Sequence, residues 1–304
     1  PRAFREHSAL RRWRCGAAQA VAIPFLVLVK MAQWLAPFFT YHFFTGDEND
    51  SVPFAIAISV LAFAIATVLE FAVAWAGKWL VAGRLKAGRY PLWGVTYFRW
   101  WFADRLVEAV PVAMITGSSL FPLWLRALGA KIGKEVVLGS LTVRAPDLLA
   151  VGDGASVGNA VNLENARVEG GWLLLGRIDI GANACIGSYV VLEGNTRLDD
   201  WAHLEGQSAL TDGQAQPART VWTGSPAQHV SAFDETAMPE RISPSAAWRS
   251  WEMLVFAMGG LLIATLFFMP VFPTFLLIDW LDVDSISVRP LIEDGTVDAL
   301  GAFI

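Results

Sequence analysis

Between Ile180 and Leu210 an aliphatic residue returns at every sixth position: Ile180, Ile186, Leu192, Leu198, Leu204 and Leu210. Each is followed by a small or acidic residue, namely Gly181, Gly187, Glu193, Asp199, Glu205 and Thr211. A period of six matches neither the 3.6-residue helix nor the two-residue strand of a flat sheet. It matches a parallel coil of short strands, three to a turn, in which each turn buries its inward aliphatic only by stacking on the next. A helix is excluded by the recurring glycines, each of which disfavours a helix interior by about 1 kcal/mol.

The period extends backwards. Ile132-Gly133 and Leu138-Gly139 begin two hexads, an excursion follows through Arg144, Pro146 and Asp147, and Val151-Gly152, Val157-Gly158 and Leu163-Glu164 resume. After Leu163 the register is read as slipping by one, to Val168 and Leu174, before the clean run. Three hexads per turn give roughly five coils over 129–230. Glu169-Gly-Gly-Trp172 reads as a turn extruded from one of them. Gly152-Asp-Gly154 with Gly158 is explained by this period rather than by a dinucleotide fingerprint.

The remainder is membrane-like. Only 17% of the 304 residues are charged and 55% are hydrophobic, whereas a soluble domain has about 25% charged residues. Arg2, Arg5, Arg11, Arg12 and Arg14 precede an apolar run over 15–44, too long for a secretory signal and without a cleavage pattern. About 20 apolar residues cross a bilayer, so one transmembrane helix is expected here, kinked near Pro24 or ended near Pro37, with Lys30 facing a neighbouring helix or water. An acidic loop, Gly46-Asp-Glu-Asn-Asp50, separates it from a second apolar run over 53–77, interrupted by Glu70 and followed by Lys78, Arg84, Lys86 and Arg89.

The expected organisation is a basic flank with two transmembrane helices (1–89), Trp-rich interfacial or re-entrant helices (90–128), the hexapeptide prism (129–230), a linker (231–248), a third transmembrane helix (249–280) and an extracytoplasmic or interfacial segment (281–304). Leu106 to Leu125 contains Glu108, Pro111, Gly117 and Pro122, which argues against a further crossing. Basic residues beside the prism and acidic ones at the far ends place the prism in the cytoplasm of a multi-pass plasma-membrane protein. The chain begins at Pro1 and ends as apolarity rises, so it is expected to be part of a longer polypeptide. A formal charge of −5 argues against nucleic acid as a partner. Cys15 and Cys185 offer neither a disulfide framework nor metal-ligand spacing, so no metal is expected, and Cys185 is read as a small buried residue.

The repeats, closing in Gly224-Ser225-Pro226-Ala227, resemble the left-handed β-helix of the hexapeptide-repeat acyltransferases over 131–230. The resemblance implies an all-β left-handed parallel β-helix domain combined with α-helical transmembrane segments. The wider arrangement of basic flank, paired apolar helices, Trp-rich segment, prism and further apolar helix resembles the membrane-embedded C-terminal region of ε-poly-lysine synthetase-like nonribosomal peptide synthetases. In that family adenylation and carrier domains precede alternating transmembrane segments and tandem acyltransferase-like domains that join amino acids into short homopolymers. The resemblance implies the 4'-phosphopantetheine thioester of a carrier domain as donor, with no cofactor resident in this segment. Its implied partners are the lipid bilayer, upstream carrier and adenylation domains, and sister prisms in a pseudo-trimer or homo-oligomer. A membrane-tethered O/N-acetyltransferase using acetyl-CoA and a non-catalytic scaffold are the alternatives.

Transfer from a thioester needs a base for the attacking amine and donors for the oxyanion. Hexapeptide acyltransferases take the base from a histidine at a coil edge, and His203 is the one histidine inside the repeats. It ends the hexad Leu198-Asp-Asp-Trp-Ala-His203, so Asp199, Asp200 or Glu205 could orient it, or it is a surface histidine on a polar face. His229 is the runner-up, while His7 and His42 lie outside the repeats. His203, Glu205 and Glu164 are the catalytic candidates, with Glu164 or Glu193 near His203 drawing in a cationic acceptor. Asn162, Asn165, Glu193, Trp172 and Trp201 are the candidates for substrate binding. Leu163-Glu-Asn-Ala-Arg-Val168 lacks the histidine that many of the family place in an early or extruded coil.

Overall fold

The computed structural model describes residues 8–45, 51–234 and 245–280. Arg2, Arg5, His7, the acidic loop 46–50, most of the expected linker and the segment 281–304 lie outside the described residues.

Helix α1 (Ala9–Phe43) starts at Ser8, whose hydroxyl accepts from the Arg11 N–H at 3.3 Å. Both Pro24 and Pro37 lie inside it, so the helix does not end at Pro37 as the sequence allowed. Helix α2 (Val52–Gly77) continues through a π-helical turn, Lys78–Ala82. Three stretches are long and apolar enough to cross a membrane: Ala9–Phe43, Val52–Ala82 and Ala247–Thr274. The outward side chains are themselves apolar, with Ile263 68% and Phe267 78% exposed, a surface that suits lipid. Polar groups turn inward instead. The Gln33 backbone N–H donates to Glu70 at 3.1 Å and its amide donates to Thr67 at 2.7 Å, joining α1 to α2.

A helix of 35 residues is roughly 52 Å long, against a hydrocarbon core of about 30 Å. Helix α1 is therefore longer than a bilayer core is thick, and the segment after α2 packs along the hairpin. Strand β1 (Gly88–Pro91) leads to α3 (Val95–Ala109), a 3-10 turn (Val112–Met114) and α4 (Leu120–Ala127). No single helix covers 106–125, and neither α3 nor α4 is long enough to cross a membrane. Leu26 and Val29 of α1, Ala74 of α2 and Phe102 and Leu106 of α3 form one cluster. Trp100 is 2% exposed and Leu106 fully buried. Trp100 is thus sunk between helices and prism, while Trp93, Trp101 and Trp124 are half-buried.

The prism follows coil by coil. The first coil is β2 (Lys131–Ile132), β3 (Val137–Leu138) and β4 (Leu141–Val143). The second is β5 (Leu149–Val151), β6 (Ser156–Val157) and β7 (Val161–Glu164). After a hairpin, β8 (Ala166–Glu169) and β9 (Trp172–Leu175), come β10 (Ile178–Ile180), β11 (Cys185–Ile186) and β12 (Val191–Glu193). The fourth coil is β13 (Thr196–Leu198), β14 (His203–Leu204) and β15 (Ala209–Leu210). Then β16 (Ala215–Gln216) and β17 (Thr220–Gly224) begin a fifth, and β18 (Ala227–Ala232) folds back antiparallel on β17.

Successive strands enter three different sheets in rotation: β2-β5-β10-β13-β16, β3-β6-β11-β14-β17 and β4-β7-β12-β15. Within each, neighbours from adjacent coils are parallel. The aliphatics of the six-residue period point inward, none of Ile180, Ile186, Leu192, Leu198, Leu204 and Leu210 being more than 3% exposed. Phe121 and Leu125 of α4 complete this core at its first coil. Corners fall at a constant place: Asn183, Tyr189, Asn195, Trp201 and Gln207, each six residues on, all have φ between 56° and 60°.

The register does not slip after Leu163. Residues 166–175 leave the coil as the β8–β9 hairpin, closed where the Gly176 N–H donates to the Asn165 carbonyl at 3.0 Å. Val168 is 48% exposed, while Leu173 and Leu175 are buried against Trp100 and Leu148. Two-residue alternation in the hairpin had mimicked a shifted hexad. Strand β1 adds to this hairpin, Gly88 opposite Leu175 and Pro91 opposite Trp172, which stitches the membrane connector to the prism.

A second tie is ionic. Lys78, at the end of the second apolar stretch, meets Asp147 in the excursion after the first coil at 2.9 Å, with side chains 3% and 1% exposed. The other Asp147 oxygen accepts from the Leu85 N–H at 3.2 Å. Removing one partner of a buried pair leaves a bare charge, so Asp147→Ala is expected to destabilise the protein by about 3–5 kcal/mol, whereas the double change Lys78→Met, Asp147→Leu recovers most of the loss. Thermal unfolding in detergent measures both. A Cβ at Gly181 would lie 2.5 Å from the Asp199 carbonyl carbon of the next coil. Gly181→Ala is therefore expected to cost about 1–3 kcal/mol in the same assay, whereas Gly16→Ala, with open space around it, should cost nothing.

Candidate functional site

His203 occupies an outward position because the pleat sends Leu204 inward. Residues in register on adjacent parallel strands share a face, so Ser156, Cys185, His203 and Val221 form one column. The His203 Nε2 lies 3.3 Å from Glu205 Oε1, the two side chains being 25% and 51% exposed. Phe233 stacks on the imidazole at 5.7 Å and 16°, and also on Trp201 at 6.3 Å. The Nδ1 atom is buried with no hydrogen-bond partner among the described residues. His203, Glu205 and Trp201 thus come together as one patch.

Phe233 was not foreseen. It lies beyond the closing motif and reaches the patch only because β18 turns back, its N–H donating to the Arg219 carbonyl at 2.9 Å. Asp199 and Asp200 do not orient the imidazole: Asp199 pairs with Arg197 at 2.6 Å, and Asp200 accepts from the Ala182 N–H at 2.7 Å. His229 sits exposed on β18, opposite Trp222.

The acidic candidates Glu164 and Glu193 are not beside His203. Each hexad advances the chain by one face, and these two end strands of the β4-β7-β12-β15 sheet whereas His203 begins a strand of another. Glu164 accepts from the Asn162 amide at 2.9 Å. Glu193 is held by Arg167 at 2.9 Å and by the Asp212 N–H at 3.0 Å. Together with Arg89 of β1, residues Glu164, Arg167 and Asp212 line a cavity of about 210 Å³. Trp172 lies on the hairpin with the Arg89 guanidinium 4.3 Å from its ring centre. Asn165 is fully buried and its amide is used at both ends on Ala145, 2.7 Å to the carbonyl and 3.0 Å from the N–H. It staples the excursion to the coil and is closed off from solvent.

The joint between helices and prism encloses a larger cavity, about 340 Å³, lined by Lys78, Trp100, Asp104, Arg105, Glu108 and Arg144 among others. Arg144 is hydrogen-bonded to Asp104 at 2.6 Å, which holds its guanidinium still more firmly protonated despite burial. Arg105 binds Glu108 at 2.6 Å and Asp104 at 2.9 Å. Sequence reasoning passed over this cluster because its members come from α3 and from the excursion, 40 residues apart for Asp104 and Arg144. A smaller cavity of about 210 Å³ lies over Asp179, Arg197 and Asp200. Among the described residues no group of three metal-ligating side chains converges.

Fold and surface together define a hexapeptide prism carried on apolar helices. No family model matches the chain. It is 46% identical over 280 residues, 92% of its length, to the Delta-poly-L-ornithine synthetase of Acinetobacter baumannii (strain AB307-0294). At 92% of the chain the match takes in helices and prism alike. It spans only 21% of that relative. Among solved structures it is similar to a hexapeptide-repeat acetyltransferase from Vibrio cholerae, with 12% identity, TM-score 0.34 and coverage of 56% of this chain and 93% of that one. A galactoside acetyltransferase in complex with coenzyme A gives 14%, 0.34, 59% and 90%. The serine acetyltransferase of Neisseria gonorrhoeae gives 17%, 0.31, 77% and 96%.

Cys185 neighbours His203 in the column, yet burial pushes its thiol up and the Glu205 carboxylate adds to this. At neutral pH less of it is thiolate, the reactive form. In a Cys15→Ser background, Cys185 is expected to react with iodoacetamide about tenfold more slowly at pH 7.5 than free cysteine, followed by mass spectrometry of the alkylated peptide.

Proposed function

We propose that this chain is the transfer segment of a membrane-bound peptide synthetase, joining carrier-bound amino acids to an amine acceptor on the cytoplasmic face and so forming a short homopoly(amino acid). The observation that carries this reading is the 46% identity across 92% of the chain to a Delta-poly-L-ornithine synthetase, which extends over helices and prism together. In this reading the prism is a left-handed β-helix, the donor is the 4'-phosphopantetheine thioester of a carrier domain, and upstream adenylation and carrier domains and sister prisms are its partners.

His203 is the base. With Nδ1 buried, Nε2 is the ring nitrogen available to solvent, and Glu205 beside it attracts a cationic amine. An aliphatic amine has an ordinary pKa near 10.4, so it must lose one proton to water before attack and a second, to Nε2, during it. The nitrogen adds to the thioester carbonyl, the C–N bond forms, the C–S bond breaks, and the proton held on Nε2 passes to the departing sulfur. Trp201 and Phe233 supply an apolar edge along which a pantetheine arm can lie. Acetyl-CoA is the alternative donor.

A second reading, a scaffold that only packs against sister prisms, is favoured by one observation. Phe233 covers the His203 ring, and none of the cavities described above is lined by His203. Replacing His203 with Ala in the full-length synthetase separates the two. Loss of a general base lowers turnover by about a hundredfold or more, so polymer formation in membranes should fall by that factor, with Glu205→Gln giving a smaller loss. Unchanged polymer formation in a normally folded His203→Ala protein would establish the scaffold.

A further inference from the structure

The cavity at the joint and a groove of about 220 Å³ along α1 share a wall made by Arg105 and Glu108 of α3. Two of the three Arg105 guanidinium nitrogens are taken, Nη1 by Glu108 and Nη2 by Asp104. The third, Nε, is buried and has no acceptor among the described residues. A buried guanidinium N–H without an acceptor carries a desolvation penalty that a ligand oxyanion removes. Glu108 offers the complementary group. Its side chain is 60% exposed and only Oε2 is used by Arg105, which leaves Oε1 to accept from an ammonium.

The charges at this site sum to zero. Lys78, Arg105 and Arg144 are matched by Asp104, Glu108 and Asp147, and the Lys78–Asp147 and Arg144–Asp104 pairs are closed on themselves. A bare anion would meet three carboxylates and a bare diamine three cations, whereas a molecule carrying both charges balances each against the opposite partner. The other walls are apolar, from Trp100, Val112, Phe121 and Trp124, and suit a chain of methylenes. Lys30 stands farther along the groove, exposed and without a hydrogen bond or ion pair among the described residues, and repels a second cation from that direction.

We propose that the joint cavity binds a zwitterionic amino acid with an aliphatic stem, its carboxylate on Arg105 Nε and its ammonium on Glu108. The site is separate from the patch at His203, which lies on the fourth coil. No histidine or cysteine lines it, so it is a binding site that holds an amino acid at the membrane face. The ethanolamine headgroup of a phospholipid carries the same ammonium and oxyanion pair, and the test distinguishes that source.

The 304-residue chain in nanodiscs of pure phosphatidylglycerol is titrated calorimetrically with L-ornithine, 1,4-diaminobutane and pentanoate. L-Ornithine should bind saturably and the two single-charge analogues should not. Glu108→Gln, at a largely exposed side chain, and Arg105→Lys should each weaken binding about tenfold or more, while His203→Ala should leave it unchanged. Absence of saturable L-ornithine binding, or binding unaffected by both variants, would overturn the assignment. Loss of L-ornithine binding when phosphatidylethanolamine is added would assign the cavity to the lipid headgroup and overturn it likewise. Loss of polymer formation in His203→Ala without any L-ornithine binding would sink this inference and leave the proposed function standing.

Discussion

Every strand of the prism finds its hydrogen-bond partners one coil away, about 4.8 Å up or down the stack, and has little of its own to bury. Strands of two or three residues such as Cys185–Ile186 or His203–Leu204 would not persist alone. Their stability is collective, and room is tightest in the hexads where glycine follows the inward aliphatic. Where the backbone of one coil crosses the next, as at Gly158 under Ser188, even a methyl group has no room. The outer faces carry no such demand, which frees them to display His203, Glu164 or Asn162 without disturbing the core.

The joint to the helices has the opposite character. It is irregular, mixed in charge and assembled from distant parts: a π-helical turn, one strand, two short helices, an excursion and a hairpin. Paired charges occur there because the helix end and the prism end must both be desolvated to meet. Strand β1 then converts contact into fixed register with the hairpin. The prism is thereby held at a set attitude to the helices, and groups on its faces keep a fixed relation to the apolar surface.

The regular parts were legible in the sequence and the irregular parts were not, for a physical reason. Ile180 to Leu210 repeats because each coil imposes the same inward position, and the apolar runs of α1 and α2 stand out because lipid imposes composition. Val168 and Leu174 were misread because a two-residue alternation can coincide with a six-residue one over a short stretch. Asn165 looked like a ligand-binding side chain, since nothing local reveals that Ala145, 20 residues earlier, takes both ends of its amide. Glu193 was placed near His203 by closeness in sequence, when the rotation of faces separates them. The partnership of Arg105, Asp104 and Arg144 depends on which coil meets which helix, information that no periodicity carries.

The stitch between β1 and β9 also dictates an order of events during synthesis. When the membrane hairpin leaves the ribosome, Lys78 has no counter-ion, because Asp147 follows 69 residues later. The edge of β1 has no neighbour until the hairpin near Trp172 has been made. The joint therefore closes only after the first two coils exist. A translating chain spends that interval with the apolar hairpin committed to the bilayer and the connector open. A pause or defect in the early coils would leave a membrane-inserted but undocked intermediate, with Trp100 and its neighbours uncovered beside the lipid surface.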